Sequence, residues 1–340
     1  MKKDFDVDIV IPWVDGSDKN WLEQKNSFLP KDKLIDIDAE QVRYRDWDNV
    51  KYIFRGIQKF APWVRKVFFI TSGQIPSWLN LDCKKLVFVK HEDYIPKQYL
   101  PTFSSHPIEL NMHRIKGLSE HFIYMNDDFF FTKKVSKYDF FDKNGLPKIS
   151  AVESPYSIAN DGVVFYNILV NNTRQIASKF NKEQVKHSRK WYPLTKPKIA
   201  IINLFFNFIA KNNWIGFYHD HLPSPFLKSC IEECWQTFGE VLDQTSKNKF
   251  RSDKDVNQFL FSDYQLCTNK FSAINIKKKG KYLGLDNNED NLNNICNQIR
   301  TGKYKMICIN DVEIDNFEKT RDKINQALDD LLPEKSDFEK

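Results

Sequence analysis

Two periods of apolar and polar positions alternate along the first 150 residues. Residues 7 to 14 (VDIVIPWV) are a near-continuous apolar run, the pattern of a buried strand, and it stops at the turn formers Asp15-Gly16-Ser17-Asp18. From Asp48 the period lengthens. Val50, Ile53, Phe54, Ile57 and Phe60 recur at three- and four-residue spacing, which predicts a helix that ends before Pro62. KVFFITSG (66–73) and KLVFVKH (85–91) read as strands separated by a Pro-Ser-Trp turn. Ser105 as N-cap, Pro107 in the first turn, and Ile108, Met112 and Ile115 at helical spacing predict a second helix. HFIYMNDD (121–128) is a strand running into another acidic turn. This order of elements is that of an open α/β sheet with helices on both faces.

Past residue 150 the pattern turns more helical. A basic cluster, KHSRKWYPLTKPK, precedes the apolar IAIINLFFNFIA at 199–210, which either lies in a membrane interface or forms a buried helix, the commoner fate of such a stretch. Residues 223–245 predict a helix opened by Pro223 and Pro225, with Phe226, Cys230, Cys234, Trp235, Phe238 and Val241 on one core-facing stripe. A further helix is expected from Ser252, a loop over DNNEDNLNN (286–294), a strand over KYKMICIN (303–310), and a last helix bearing Phe317, Ile324, Leu328 and Leu331. The chain divides into an α/β part (1–150), a variable segment (151–215), and helical and strand elements that complete the domain (216–340).

Composition narrows the class. With 41% hydrophobic and 14% aromatic residues among 340, and 11 Gly and 14 Pro, collagen-like, low-complexity and disordered readings are excluded. The net charge of +6 suits an anionic small molecule or a lipid surface, and basic residues cluster only at KHSRK and KKKGK, which argues against nucleic acid. Six cysteines without a C-x-x-C pair read as reduced, hence a cytosolic setting. No signal-peptide core is visible at the N-terminus, and the 199–210 run is short of the roughly 20 residues that span a bilayer.

In an open α/β sheet, ligands bind beyond the carboxyl ends of the strands, so the two acidic turns carry the chemical expectation. Asn126-Asp127-Asp128 follows the apolar HFIYM, a setting for Mg²⁺ and a diphosphate, since Mg²⁺ prefers one or two carboxylates plus phosphate oxygens; the plain alternative is a capped turn. Asp15-Gly16-Ser17-Asp18 is a second metal or nucleotide contact or only a turn. His219-Asp220-His221 lacks a third ligand at zinc spacing. His221, just before the predicted helix at 223, would have a lowered pKa and act as a neutral base, or merely cap. Arg251 precedes Ser252 and Asp255, which fit a capping box, and beside a helix start it would grip a phosphate or form a surface ion pair. Trp13, an apolar residue of the first run, reads as core on its pattern alone.

Together, IVIPWVDGSD, the run from RYRDWDNVKYIF to SGQIPSWLN, LPTFSSHPIELNMHRIKGLSEHFIYMNDDFFF, HLPSPF with FRSDKDVN, and ICINDVEIDNFEKTRDKINQALDDLLPEKSDFE resemble, in order, the four signature blocks of the Stealth family of capsular polysaccharide phosphotransferases. That family is similar to the catalytic part of the lysosomal-enzyme N-acetylglucosamine-1-phosphotransferase. The segment from about 150 to 215 departs from the pattern. The resemblance implies a Rossmann-like, glycosyltransferase-A-like fold. It also implies transfer of a hexose-1-phosphate, here an N-acetylhexosamine-1-phosphate, from a UDP-sugar to an oligosaccharide or polysaccharide hydroxyl with release of UMP. The implied cofactor is Mg²⁺ or Mn²⁺, and the implied location is the inner face of the cytoplasmic membrane beside capsule export machinery. Carried onto this sequence, the catalytic residues are Asp15, Asp128, His221 and Arg251; the substrate contacts are Trp13, Gly16, Arg114, Asn126, Asn257 and Asn310; and the metal ligands are Asp127, Asp128 and Asp311. A metal-dependent glycosyltransferase releasing UDP is the competing expectation, and a noncatalytic polysaccharide or nucleic-acid binder the third.

Overall fold

The computed structural model describes residues 4–29, 46–156, 163–275, 277, 279–310 and 314–340. Its central sheet has the order β3-β2-β1-β4-β7, with β1 (Val7–Pro12), β2 (Val67–Thr71), β3 (Leu86–Lys90) and β4 (His121–Tyr124) parallel and β7 (Ser224–Leu227) antiparallel at the edge. The strands read as apolar runs because both faces are covered. Ile9 and Ile11 of β1, Phe69 of β2 and Ile123 of β4 point into one core; Val10, Phe68, Ile70, Phe122 and Tyr124 point into the other.

Helix α1 (Lys19–Ser27) follows the first acidic turn and is capped by Asp18, whose carboxylate accepts from the Asn20 and Trp21 amides. Helix α2 (Val50–Phe60) buries Ile53, Phe54 and Ile57 as its spacing predicts. It crosses the short strand β5 (Phe129–Phe131) closely enough that a Cβ at Gly56 would sit 2.8 Å from the Phe131 carbonyl oxygen, so only glycine fits there. Strand β5 belongs to a second sheet, β5-β10-β9, with β9 (Gly280–Gly284) and β10 (Met306–Asn310) parallel to each other. Helices α10 (Glu289–Arg300) and α11 (Phe317–Leu331) contribute Ile295, Ile299, Ile324 and Leu328 to the first core. The second core is closed by α8 (Lys228–Lys247), α9 (Phe259–Cys267) and part of α5 (Val163–Lys179). The six cysteines are free, and Cys230 and Cys234 are core residues as expected.

Four elements differ from the sequence reading, and at a fifth the structure decides between two. The helix expected through Ile115 is the six-residue α3 (Ser105–Leu110), capped by Ser104, followed by a 3₁₀ turn at Met112–Arg114. The helix expected from Pro223 starts at Lys228, because Ser224–Leu227 extends to pair with His121–Tyr124. Ser252 and Asp255 do bond reciprocally, but they close an isolated turn, and the helix starts at Phe259. Within the expected 286–294 loop, Asn288 caps α10 by accepting from the Asp290 and Asn291 amides. The apolar run at 199–210 is helical but largely uncovered: α7 (Pro197–Ala210) buries Ile199 and Asn203 and exposes most of its aliphatic and aromatic side chains.

Candidate active site

Parallel strands β1 and β4 end side by side, and the chain that leaves each of them lines one cleft. The cleft has two lobes of about 650 and 610 Å³ that share a wall made by Trp13, Asn126, Asp127, Phe165, His221 and Arg251. A separate void of about 50 Å³ beside Ser150 and Asp220 is too small for a sugar.

The acidic turn is held from two sides. The Phe129 amide donates to the Asn126 carbonyl, and the Ile309 amide donates to the Asp128 carbonyl, so the strand near the C-terminus fixes the turn at the end of β4. That register brings Cys308 to Asp128: Sγ lies 3.2 Å from Oδ2, and burial with the neighbouring carboxylate keeps the thiol pKa far above its usual value, so the thiol donates. His221 Nε2 lies 3.3 Å from the same Oδ2. Asp128 Oδ1 is buried without a protein partner. Asp127 is open to the water of the cleft yet ringed by protein. Desolvation and then the Asp128 charge push its pKa up to about 7. Such an acid gains from a cation or from added hydrogen-bond donors.

His221 does not sit at a helix start, because the chain after it enters β7, and its pKa is not lowered. Burial pulls it down, but the hydrogen bond to Asp128 and the charges of Asp128, Glu109 and Asp127 outweigh that and raise it above the usual histidine value. Arg251 likewise lies in a loop, exposed at the junction of the lobes, with its guanidinium donating to Ser105 Oγ at 3.0 Å. His219 faces elsewhere, stacked on Phe259 and paired with Asp263 at 3.3 Å, so the two histidines share no ligand position.

The remaining expected residues divide. Trp13 packs on Phe69 at its back and lines both lobes, while Asn310 donates to the Tyr282 hydroxyl at 2.6 Å on the wall of the smaller lobe. Asn257 lines the larger lobe, but its side chain is used by Asn172 and by the Phe259 amide. Asp15 Oδ1 accepts from the Ser17 amide and hydroxyl, and neither Asp15 nor Gly16 lines the lobes. Arg114 is not brought into the cleft: it lies over Trp235 at 4.9 Å and donates to Asn111. Asp311 lies outside the described residues.

Sequence reasoning missed two groups. Glu109 is buried on the wall of the larger lobe, with Oε1 accepting from the Tyr124 hydroxyl at 3.1 Å and Oε2 unpartnered. A carboxylate between Ile108 and Leu110 in a short buried helix was the available signal. Cys308, inside an apolar strand, gave none.

The donor set suits Mg²⁺ or a similar hard cation. Asp127 and Asp128 offer oxygens, including the orphaned Oδ1, and leave room for phosphate oxygens. Asp128, His221 and Cys308 also offer one ligand atom each within 4.8 Å of one another, a mixed oxygen, nitrogen and sulfur set beside the two carboxylates.

Buried histidines add a pH signature. Burial lowers the pKa of His91 to about 4 and, with the Arg114 charge, that of His113 to about 3, so both are neutral when folded and take a proton when unfolded below about 6.5. Their contribution to stability is complete above pH 6.5 and is lost as pH falls toward 4. Melting temperature is expected to drop between pH 7 and 5, and replacing both with Gln to flatten that slope; an unchanged slope would place the loss elsewhere.

The ends of β1 and β4 thus open on one two-lobed cleft whose wall carries paired carboxylates, an imidazole and a guanidinium, the ligand position of an open α/β sheet. The chain matches Stealth protein conserved region 1 over residues 5–33, conserved region 2 over 43–149 and conserved region 3 over 220–265. It is 37% identical over 341 residues to the capsular polysaccharide phosphotransferase WcwK of Streptococcus pneumoniae, covering 98% of this chain and 99% of the relative. It is 38% identical over 341 residues to the receptor polysaccharide phosphotransferase WefC of Streptococcus oralis, with the same coverage. The exopolysaccharide phosphotransferase cps2G of Lactiplantibacillus plantarum is 36% identical over 340 residues, with 99% and 97% covered. The chain therefore belongs to the Stealth family.

Proposed function

We propose that this enzyme transfers a hexose-1-phosphate, of the N-acetylhexosamine type, from a UDP-sugar to a sugar hydroxyl, releasing UMP and building a phosphodiester into a capsular or surface polysaccharide. It works at the cytoplasmic face of the membrane beside the export machinery. The observation that supports this reading is the shared wall of the two lobes, where Asp127, His221 and Arg251 lie between spaces of about 650 and 610 Å³.

The acceptor oxygen attacks the β-phosphorus, the bond from that phosphorus to the UMP oxygen breaks, and the sugar C1–O bond stays intact, so anomeric configuration is retained. Asp127 and Asp128 would hold a divalent cation, which would supply charge neutralisation on the diphosphate. Arg251 takes phosphoryl oxygens in its planar fork. His221 receives the acceptor proton at Nδ1, while Asp128 orients the ring through Nε2 and stabilises the imidazolium. Asp15, bound to its own turn, is the weaker candidate for that role.

The test is to incubate the protein with Mg²⁺, a panel of UDP-sugars and short oligosaccharides and to identify the nucleotide released. UMP, lost on chelation and restored by Mg²⁺ or Mn²⁺, supports the reading; UDP means glycosyl transfer and overturns it. Arg251→Lys is expected to lower turnover about a hundredfold, because a point charge does not reproduce the fork. A lysine variant with nearly full rate would remove Arg251 from the phosphate site.

A further inference from the structure

Helix α7 (Pro197–Ala210) is built inside out. Its one polar side chain in the core is Asn203, whose amide donates to the Ala151 and Trp191 carbonyls, both at 2.8 Å, and accepts from the Glu153 amide at 3.2 Å. The apolar residues face out. Phe208 is 85% exposed, Ile201 64%, and Leu204, Phe205 and Ile209 between 56 and 58%, while Leu194 in the turn before is 95% exposed. Scattered apolar side chains on a surface are ordinary; a contiguous set on one helix is not.

The surroundings choose the occupant. Between Glu183 and Asp220 the chain has six lysines and arginines and no acidic residue. Arg189, Lys190, Lys198 and Lys211, at or beside the two ends of the apolar patch, are exposed. A second copy packed face to face would oppose cationic rim to cationic rim, because a two-fold contact pairs a patch with itself. An anionic bilayer satisfies both features at once: the apolar side chains enter the acyl boundary and the cations meet the headgroups. The helix lies flat, since no described helix is long and apolar enough to cross a membrane.

We propose that α7 is an interfacial helix that docks this enzyme on an anionic lipid surface. The inference stands on the surface of α7 alone and does not depend on which donor or acceptor the cleft takes.

Flotation with equimolar phosphatidylglycerol and phosphatidylcholine vesicles tests it. The wild type is expected to float, to bind phosphatidylcholine vesicles at least tenfold less, and to lose binding progressively with salt. Phe205→Glu with Phe208→Glu should lower binding at least tenfold with an unchanged circular dichroism spectrum and melting temperature, while Phe205→Leu with Phe208→Leu should keep it. Wild-type protein that ignores anionic vesicles overturns the proposal, whether it is a monomer or a dimer that the double Glu variant splits. Equal binding by the double Glu variant does so too.

Discussion

Asp128→Asn should lower turnover by about a thousandfold while the protein stays folded, the size of loss seen when one preorganised electrostatic group is removed from a transition state. The substitution keeps shape and removes charge. Asp128 receives Cys308 and His221 on Oδ2 and leaves Oδ1 buried without a protein partner, so the carboxylate is over-supplied with donors on one oxygen and unserved on the other. An unserved buried carboxylate oxygen is costly unless a ligand serves it. In Asn the oxygen facing the donors survives, but a neutral amide neither holds a cation nor stabilises an imidazolium on His221. Single-turnover UMP release, with thermal melts as the fold control, measures the effect. A folded Asn variant within tenfold of the wild-type rate would take Asp128 out of the reaction.

How far this was legible in the sequence depends on what kind of force places each residue. The sheet strands are buried on both faces, so β1, β2 and β4 appear as apolar runs and the turns after them stand out. Asp127, Asp128 and Asn126 could be found because they end such a run. Arg251 and His221 do line the cleft, but in settings other than those expected: Pro225 sits in an edge strand, where a missing amide is tolerated, and a capping-box pair closes a turn with no helix behind it. Glu109 meets the Tyr124 hydroxyl at the end of β4 and Cys308 meets Asp128 in the turn after it, the second across 180 residues of chain, contacts that no local pattern encodes. In the segment past 150 the ordinary sign of amphipathicity is reversed on α7, so of the two readings the apolar run allowed, buried or interfacial, the buried one fails.

That reversal needs an anchor other than apolar burial, and Glu153 supplies it. Glu153→Gln is expected to destabilise the protein by about 3–5 kcal/mol, the usual effect of removing one partner of a buried ion pair. Its side chain is fully buried between Lys182 and Lys186, whose side chains are 1% and 2% exposed; Lys186 bonds one carboxylate oxygen and Lys182 lies 2.9 Å from the other. Burial, helped by the Lys182 charge, holds the Lys186 pKa below its usual value, and the charge and hydrogen bond of Glu153 are what oppose that. Lys182 also donates to the Asn213 carbonyl, the Glu153 backbone bonds Asn203, and Glu153 forms a bridge with Phe217. Glu153 thus ties α6 (Lys182–Lys186) through its carboxylate, and α7 and the chain returning toward the cleft through its backbone. The amide variant leaves two buried ammonium groups with one weak acceptor, and urea unfolding should show the loss together with faster proteolysis between 182 and 217. Replacing Glu153, Lys182 and Lys186 together by Met should recover most of it, since an apolar trio carries no desolvation penalty. A Glu153→Gln variant within about 1 kcal/mol of wild type would mean that the lysines shed their protons without cost and that Asn203 alone holds the inverted helix.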